Sequence, residues 1–301
     1  MAGNTKQILA SLSVNVAIAI AKGIAAFFTG SGALLAETLH STADCSNQLL
    51  LLLGVKQAAR PPDDEHPLGY GRDLFFWSFI VALLLFSGGG VFSIYEGIHK
   101  LQAPEPVEHV WLGLGILLFS VLLEGWATLG NLREMKKRRG EQPLLQYLVR
   151  TKDSDLILLF GENSAAVLGL LVAMAALLLS WQTGDGRFDA IGSIVIGLIL
   201  VAVAIFLARE VKSLLIGESA DPAIAEAVRA TLGPAHPAIE AVPRLITVQQ
   251  GPGEVLVAMK VRLTSGLTTE QVVKSINAFE AALHERAPEI RWCFVEPDDH
   301  A

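Results

Sequence analysis

His40 and Asp44 stand four residues apart in the stretch Ala36-Glu37-Thr38-Leu39-His40-Ser41-Thr42-Ala43-Asp44-Cys45-Ser46-Asn47-Gln48, between two long apolar runs. On a helix that spacing presents an imidazole and a carboxylate one turn apart on one face, a pair of potential metal ligands. Such a pair is costly in lipid. An ionisable residue at membrane depth reads first as part of a transport or relay site facing the interior of a helix bundle. A second group, Glu162-Asn163-Ser164, lies in a later apolar run. Glu162 and Asn163 add oxygen donors to the nitrogen of His40 and the oxygen of Asp44, a set suited to a first-row divalent cation in about four-coordinate geometry.

The elements that must position these residues are membrane helices. Of the 301 residues 52% are hydrophobic, and they gather into runs of spanning length, which argues against a soluble globule. Six spans are predicted, at about 7–29, 32–56, 74–98, 110–132, 154–181 and 188–207, with Gly30-Ser31-Gly32 as a tight turn that makes the first two antiparallel neighbours. By rise per residue, His40 and Asp44 lie roughly 12 to 18 Å from one membrane edge and Glu162 and Asn163 roughly 12 to 14 Å from the other. The two groups therefore share a depth near the midplane.

Local basic residues set the orientation. Lys56, Arg60 and Arg72 flank the second loop, Arg133, Lys136, Lys137, Arg138, Arg139, Arg150 and Lys152 fill the fourth, and Arg209 and Lys212 follow the last span. The positive-inside rule then places both termini in the cytoplasm of a multi-pass protein, with the cell (inner) membrane as its expected location. The formal charge of −7 adds little, because acids and bases are segregated along the chain. Cys45 and Cys293 are the two cysteines, which excludes a disulfide framework and a CxxC metal site. The opening MAGNTKQ leads into an apolar span without a small-residue cleavage signature, so the first helix is expected to be retained.

Residues 1–211 thus form the expected transmembrane domain and 212–301 a small cytoplasmic α+β domain of order α-β-β-α-β. Asp221-Pro222 opens a helix that Gly233-Pro234 stops; Leu245 to Gln249 and Glu254 to Leu263 alternate as strands about Gly251-Pro252-Gly253. Thr268-Thr269-Glu270-Gln271 caps a helix reaching about Arg286, and Ile290 to Val295 reads as a last strand.

The other intramembrane polar residues have readings of their own. Lys22 and Glu37 fall at similar depth and read as an ion pair that fixes helix packing. Asn15 reads as an interhelical hydrogen bond and Cys45 as a small buried hydrophobe. Asn47 shares the face of His40 and Asp44, where support of the ligands and packing are equally open. Glu124 falls mid-helix, where a carboxylate without a partner would take up a proton; proton coupling and helix packing both remain open. Asp155 lies near the cytoplasmic mouth of span five.

Six spans with both ends inside, the block Gly30 to Asp44, the loop Glu65-His66-Pro67-Leu68-Gly69-Tyr70-Gly71-Arg72 and the α+β tail together resemble the cation diffusion facilitator family, over essentially the whole chain. The resemblance implies that a divalent metal, most often zinc, binds between helices two and five and is exported from the cytoplasm against protons by a homodimer joined through its cytoplasmic domains. It nominates His40 and Asp44 on helix two. On helix five the family's usual pattern is a second pair of ligands four apart, whereas the positions here are Leu159 and Asn163, or Leu158 and Glu162. One ligand is apolar in either register, and Glu162 and Asn163 diverge by about 100° round the helix. The sequence looks most like a branch of the family with Glu-Asp at this place, here changed to Glu-Asn.

Many members of the family also bind metal in the tail through histidines. The last strand here, Trp292-Cys293-Phe294-Val295-Glu296-Pro297, has none, and His236, His284 and Asp298-Asp299-His300 are scattered candidates. The tail is expected to dimerise without a strong metal site. The loop group Asp63-Asp64-Glu65-His66 reads equally as a cation-attracting entrance and as a solvated acidic loop.

The expected function is export of zinc, or of Mn, Fe, Co or Cd, by alternating access and proton antiport, since protons and metal compete for the same imidazole and carboxylates. The partners implied are the divalent cation, protons, the lipid bilayer and a second copy of the chain. The alternative is a membrane metal sensor or scaffold that binds without transporting. No span carries HExxH or a nucleophile with its base, so an enzyme is not expected and no organic cofactor is implied. The basic run Lys136 to Arg139 is explained as a topogenic loop, and nucleic acid is not an expected partner.

Overall fold

The computed structural model describes residues 2–144, 147, 154–233 and 235–298. Six long helices come first: α1 (Ala2–Thr29), α2 (Gly32–Ala58), α3 (Asp73–Gln102), α4 (Val110–Arg139), α5 (Ser154–Thr183) and α6 (Arg187–Ile216). Four of them, α3 to α6, are long and apolar enough to cross a membrane. Among the described residues of α1 the apolar stretch is Asn15–Thr29, and α2 is less apolar than the four. The reason is on its sequence: Glu37, Thr38, His40, Ser41, Asp44 and Asn47 interrupt its hydrophobic surface. Several helices run on past the predicted span ends, α4 to Arg139 and α6 to Ile216, because helix formation does not stop where hydrophobicity does. The composition change at Lys212 therefore lies inside a helix.

The bundle is closed by small residues and aliphatic side chains. Ala25, Ala33, Leu34, Ala36, Leu117, Ala165, Leu170, Ala173, Leu177, Ile196 and Leu200 are among its buried core. Large apolar side chains face outward instead, including Phe27, Trp111, Phe119, Leu122 and Trp126. That distribution suits helices whose surroundings are lipid. Within α3, Leu85–Val91 forms a π-helical turn around Gly88-Gly89-Gly90, and a side chain at Gly90 would meet Val201 of α6 at 2.6 Å. The absence of a Cβ there lets two backbones approach, as small residues do in membrane helix contacts.

The start of α2 is fixed from three sides. Ser31 accepts the Leu34 amide at 3.1 Å as its N-cap. The buried carboxylate of Asp189, in the first turn of α6, accepts from the Ser31 hydroxyl and from the amides of Gly32 and Ala33, placing negative charge at the positive end of α2. Lys100 of α3 donates to the carbonyl of Gly30. With α1, α3, α5 and α6 packed around it, α2 is the inner helix that the others position.

The rest of the described chain is a small α+β unit: α7 (Pro222–Thr231), β1 (Ile239–Gly251), β2 (Glu254–Leu263), α8 (Thr269–Arg286) and β3 (Ile290–Pro297). β1 and β2 form an antiparallel hairpin, and β3 joins β2 in parallel after the α8 crossover. Thr268 and Gln271 make the reciprocal capping box that the sequence signalled. Alternation along β2 buries Val255, Val257, Met259 and Val261 against Ile224, Val228, Phe279 and Leu283. β1 begins at Ile239, earlier than the predicted Leu245, because register shifts near Ala241 carry the pairing past Pro243.

Candidate metal centre

His40 and Asp44 lie on one face of α2, as their spacing requires, with His40 Nδ1 3.7 Å from Asp44 Oδ1. That separation is beyond a hydrogen bond. His40 is fully buried, and neither ring nitrogen has a hydrogen-bond partner among the described residues. Buried polar groups are normally satisfied, which makes this imidazole a candidate ligand.

Across from α2, Glu162 of α5 accepts a hydrogen bond from the Asn47 amide. Asn47, one turn beyond Asp44, thus ties the helix-five carboxylate to the helix that carries His40. Of the two readings open for Asn47, support of a carboxylate and packing, this bond fits the first. Glu162 is the member of the Glu162-Asn163 pair linked across to α2; Asn163 is partly buried one step round the helix. Among the described residues no three His, Cys, Asp or Glu side chains converge closely enough to hold a metal ion in this conformation. The side chains of Asp155, Leu158 and Leu159 lie outside the described residues.

One turn nearer the Gly32 end of α2 lies a different cluster. The Lys22 ammonium, fully buried on α1, donates to Glu37 Oε2 at 3.2 Å, Ser41 Oγ at 2.8 Å and Glu124 Oε1 at 3.1 Å. Lys22 and Glu37 meet as their depths predicted. Glu124, for which proton coupling and helix packing were both open, pairs with Lys22 across α1 and α4. Ser41 had no role in the sequence reading. Neither had Gly169 of α5, two turns on from Glu162, where an added Cβ would fall 2.1 Å from Glu37 Oε1. The seven-residue spacing from Glu162 to Gly169 was the available signal, since it puts both on one face.

On the loop between α2 and α3, Asp63 accepts from the Tyr70 hydroxyl at 2.6 Å and from the amides of His66 and Glu65 at 2.8 and 3.1 Å. The Tyr70 bond, then the His66 amide, hold the Asp63 carboxyl below its ordinary range, and the same bond raises the Tyr70 hydroxyl. His66 packs on the Tyr70 ring at 4.2 Å between centroids and Arg60 covers that ring at 4.3 Å. The loop continues to Gly71, whose backbone presses on Gly251 at the β1–β2 turn. Asp63 and His66 are therefore engaged in loop structure.

The tail candidates are dispersed. His236 stands edge-on to Phe279, His284 is in the last turn of α8, and Asp298 bonds Lys260 at 2.7 Å. Burial, with a smaller contribution from Glu280, pushes the Cys293 thiol up to about 12, so it stays protonated and a poor ligand. Asp299 and His300 lie outside the described residues.

Comparison with known proteins agrees with the helical bundle and its buried polar face. The cation efflux transmembrane domain matches residues 8–216. The chain is 35% identical over 224 residues to the proton-coupled zinc antiporter SLC30A9, mitochondrial, of Xenopus laevis, covering 74% of this chain and 40% of that protein. It is 35% identical over 195 residues to metal tolerance protein C4 of Arabidopsis thaliana, covering 64% and 43%. It is 26% identical over 288 residues to the cation-efflux pump FieF of Klebsiella pneumoniae, covering 94% and 89%. The chain thus spans about two fifths of the length of the first two relatives. Bundle and match together define a helical membrane transporter domain rather than an enzyme. The chain belongs to the cation efflux family, the cation diffusion facilitators that its motifs resemble.

Proposed function

We propose that this protein exports a divalent transition-metal cation, zinc first among them, from the cytoplasm in exchange for protons. The ion would be held near the membrane midplane by His40 and Asp44 of α2 and Glu162 of α5, with Asn47 steadying Glu162 and Asn163 beside it. The observation that carries this reading is the fully buried His40 ring with no partner for either nitrogen, one turn from Asp44. The Asn47 to Glu162 bond supports α5 as the opposite wall. The printed name of the Xenopus relative, a proton-coupled zinc antiporter, supports both zinc and the counter-ion.

In the mechanism, neutral imidazole and ionised carboxylates receive the cation, and protons replace it when the site opens to the other side. Alternating access requires the ligands to converge in a loaded state and part in an empty one. The chain would cross the cell membrane six times, as its apolar runs suggest, with both termini cytoplasmic, as its basic loops suggest. Residues 1–211 would carry the path, and residues 212–301 would join two copies into a homodimer.

The test is zinc uptake into inside-out vesicles or proteoliposomes under an imposed pH gradient. The parent should accumulate zinc in proportion to the gradient, and H40A/D44A should fall to the protein-free background. Undiminished transport by H40A/D44A would remove the site assignment. Zinc binding without flux in the parent would favour a sensor over a carrier.

A further inference from the structure

The Lys22 cluster holds more donor capacity than one ammonium uses. Three oxygens from two helices, Glu37 Oε2 and Ser41 Oγ of α2 and Glu124 Oε1 of α4, surround the Lys22 nitrogen at 2.8 to 3.2 Å. The second oxygen of each carboxylate, Glu37 Oε1 and Glu124 Oε2, is buried with no hydrogen-bond partner among the described residues. Glu37 is itself 0% exposed. Two carboxylates face one positive charge, and each engages it through a single oxygen. A monovalent cation on a tether thus sits in a cradle whose formal charge matches a divalent ion.

The spare oxygen of Glu37, Oε1, is turned toward α5. Gly169 is the place on α5 against which Glu37 lies, and any larger residue would displace the carboxylate. His40 lies three residues along the same face of α2, so a cation leaving the His40–Asp44 pair toward the Gly32 end would meet these carboxylates within one turn. An unfilled pair of buried carboxylates at that point would hold a passing ion.

We propose that Glu37, Glu124 and Ser41 form a second, oxygen-lined cation position beside the transport site, and that Lys22 is the resident cation which keeps divalent ions from lodging there. The donors are carboxylate and hydroxyl oxygens, a set that favours manganese or magnesium over ions preferring imidazole or thiolate. Lys suits the part because its charge is compact and its flexible stem delivers it as a point charge. The position itself stands on the geometry of the cluster; its role in protecting the transport path rests on the reading of His40 and Asp44 given above.

The test counts Mn2+ bound to the purified full-length protein in detergent, by electron paramagnetic resonance at fixed pH. K22M should bind one more Mn2+ per protomer than the parent, and K22R, which restores a cation, should match the parent. K22M/E37Q/E124Q should lose the added ion. An unchanged count in folded K22M overturns the proposal, as does an added ion that survives in the triple variant. K22Q, which keeps an amide donor for the carboxylates, serves if K22M is not recovered folded; failure of both to fold with Mn2+ present also counts against it, because the ion must be able to replace the ammonium. H40A/D44A measured alongside separates the two readings. If it binds as many ions as the parent, the transport site is wrong while the K22M increment still decides this one.

Discussion

Two polar clusters occupy neighbouring turns of α2, and they are finished to different degrees. Around Lys22, one cation is gripped by three oxygens from α2 and α4. Around His40, a buried ring has no hydrogen-bond partner among the described residues, and the Asp44 carboxylate stands 3.7 Å away. The contrast does not follow burial: Lys22, Glu37 and His40 are all fully buried, while Glu124 and Asp44 keep 19% and 23% of their side chains exposed. It comes from whether the positive charge is built into the chain. Where it is, the ammonium satisfies one oxygen of each carboxylate; where it is not, the polar side chains are the ones proposed above to take a cation.

The largest effect should follow from breaking the finished cluster. K22M leaves two buried carboxylates without their cation, and loss of one partner of a buried ion pair costs about 3–5 kcal/mol. Thermal or denaturant unfolding in detergent without metal should show that loss, and Mn2+ should return part of it. An unchanged midpoint would mean that the ammonium contributes little to the fold.

Next in size is the tie between the unfinished cluster and α5. N47A removes the donor to Glu162, and loss of a group that orients a ligand lowers metal affinity by about 10–100-fold. Calorimetric zinc titration checks this, and equal affinity would show that Glu162 is not placed by Asn47. G169A should act on the Lys22 cluster through one atom. The new Cβ meets Glu37 Oε1 at 2.1 Å, and overpacking of this kind costs about 1–3 kcal/mol. G169S should cost more than G169A in the same unfolding measurement.

The smallest effect is outside the membrane. Because Asp63 titrates below its ordinary range in the folded loop, the order it lends is fully present above the unfolded carboxylate range and is lost as pH falls through its lowered value. Y70F removes the largest cause and should move that loss to higher pH. Hydrogen exchange at the amides of Glu65 and His66, which Asp63 accepts, reports it directly.

The half of the candidate site on α2 was legible in the sequence because it is local. His40, Asp44 and Asn47 are related by helical spacing alone, and Lys22 with Glu37 by a short turn that fixes antiparallel neighbours. The capping box of α8 and the alternation in β2 are local in the same sense. What was not legible depends on packing between distant helices. Lys22 and Glu124 are 102 residues apart, and nothing in their spacing says that α4 lies against α1. Glu162 and Asn163 differ by one step round α5, so only the observed facing of α5 on α2 links the first of them to Asn47. Gly169 had no chemistry of its own; its meaning appears only with Glu37 against it.

The most direct test of the transport site is a zinc-soaked crystal structure with anomalous data collected across the zinc edge. The account predicts one strong peak per protomer between α2 and α5, within bonding distance of a His40 nitrogen and of Asp44 and Glu162 oxygens. A peak among Glu37, Glu124 and Ser41 with none at His40 would contradict it.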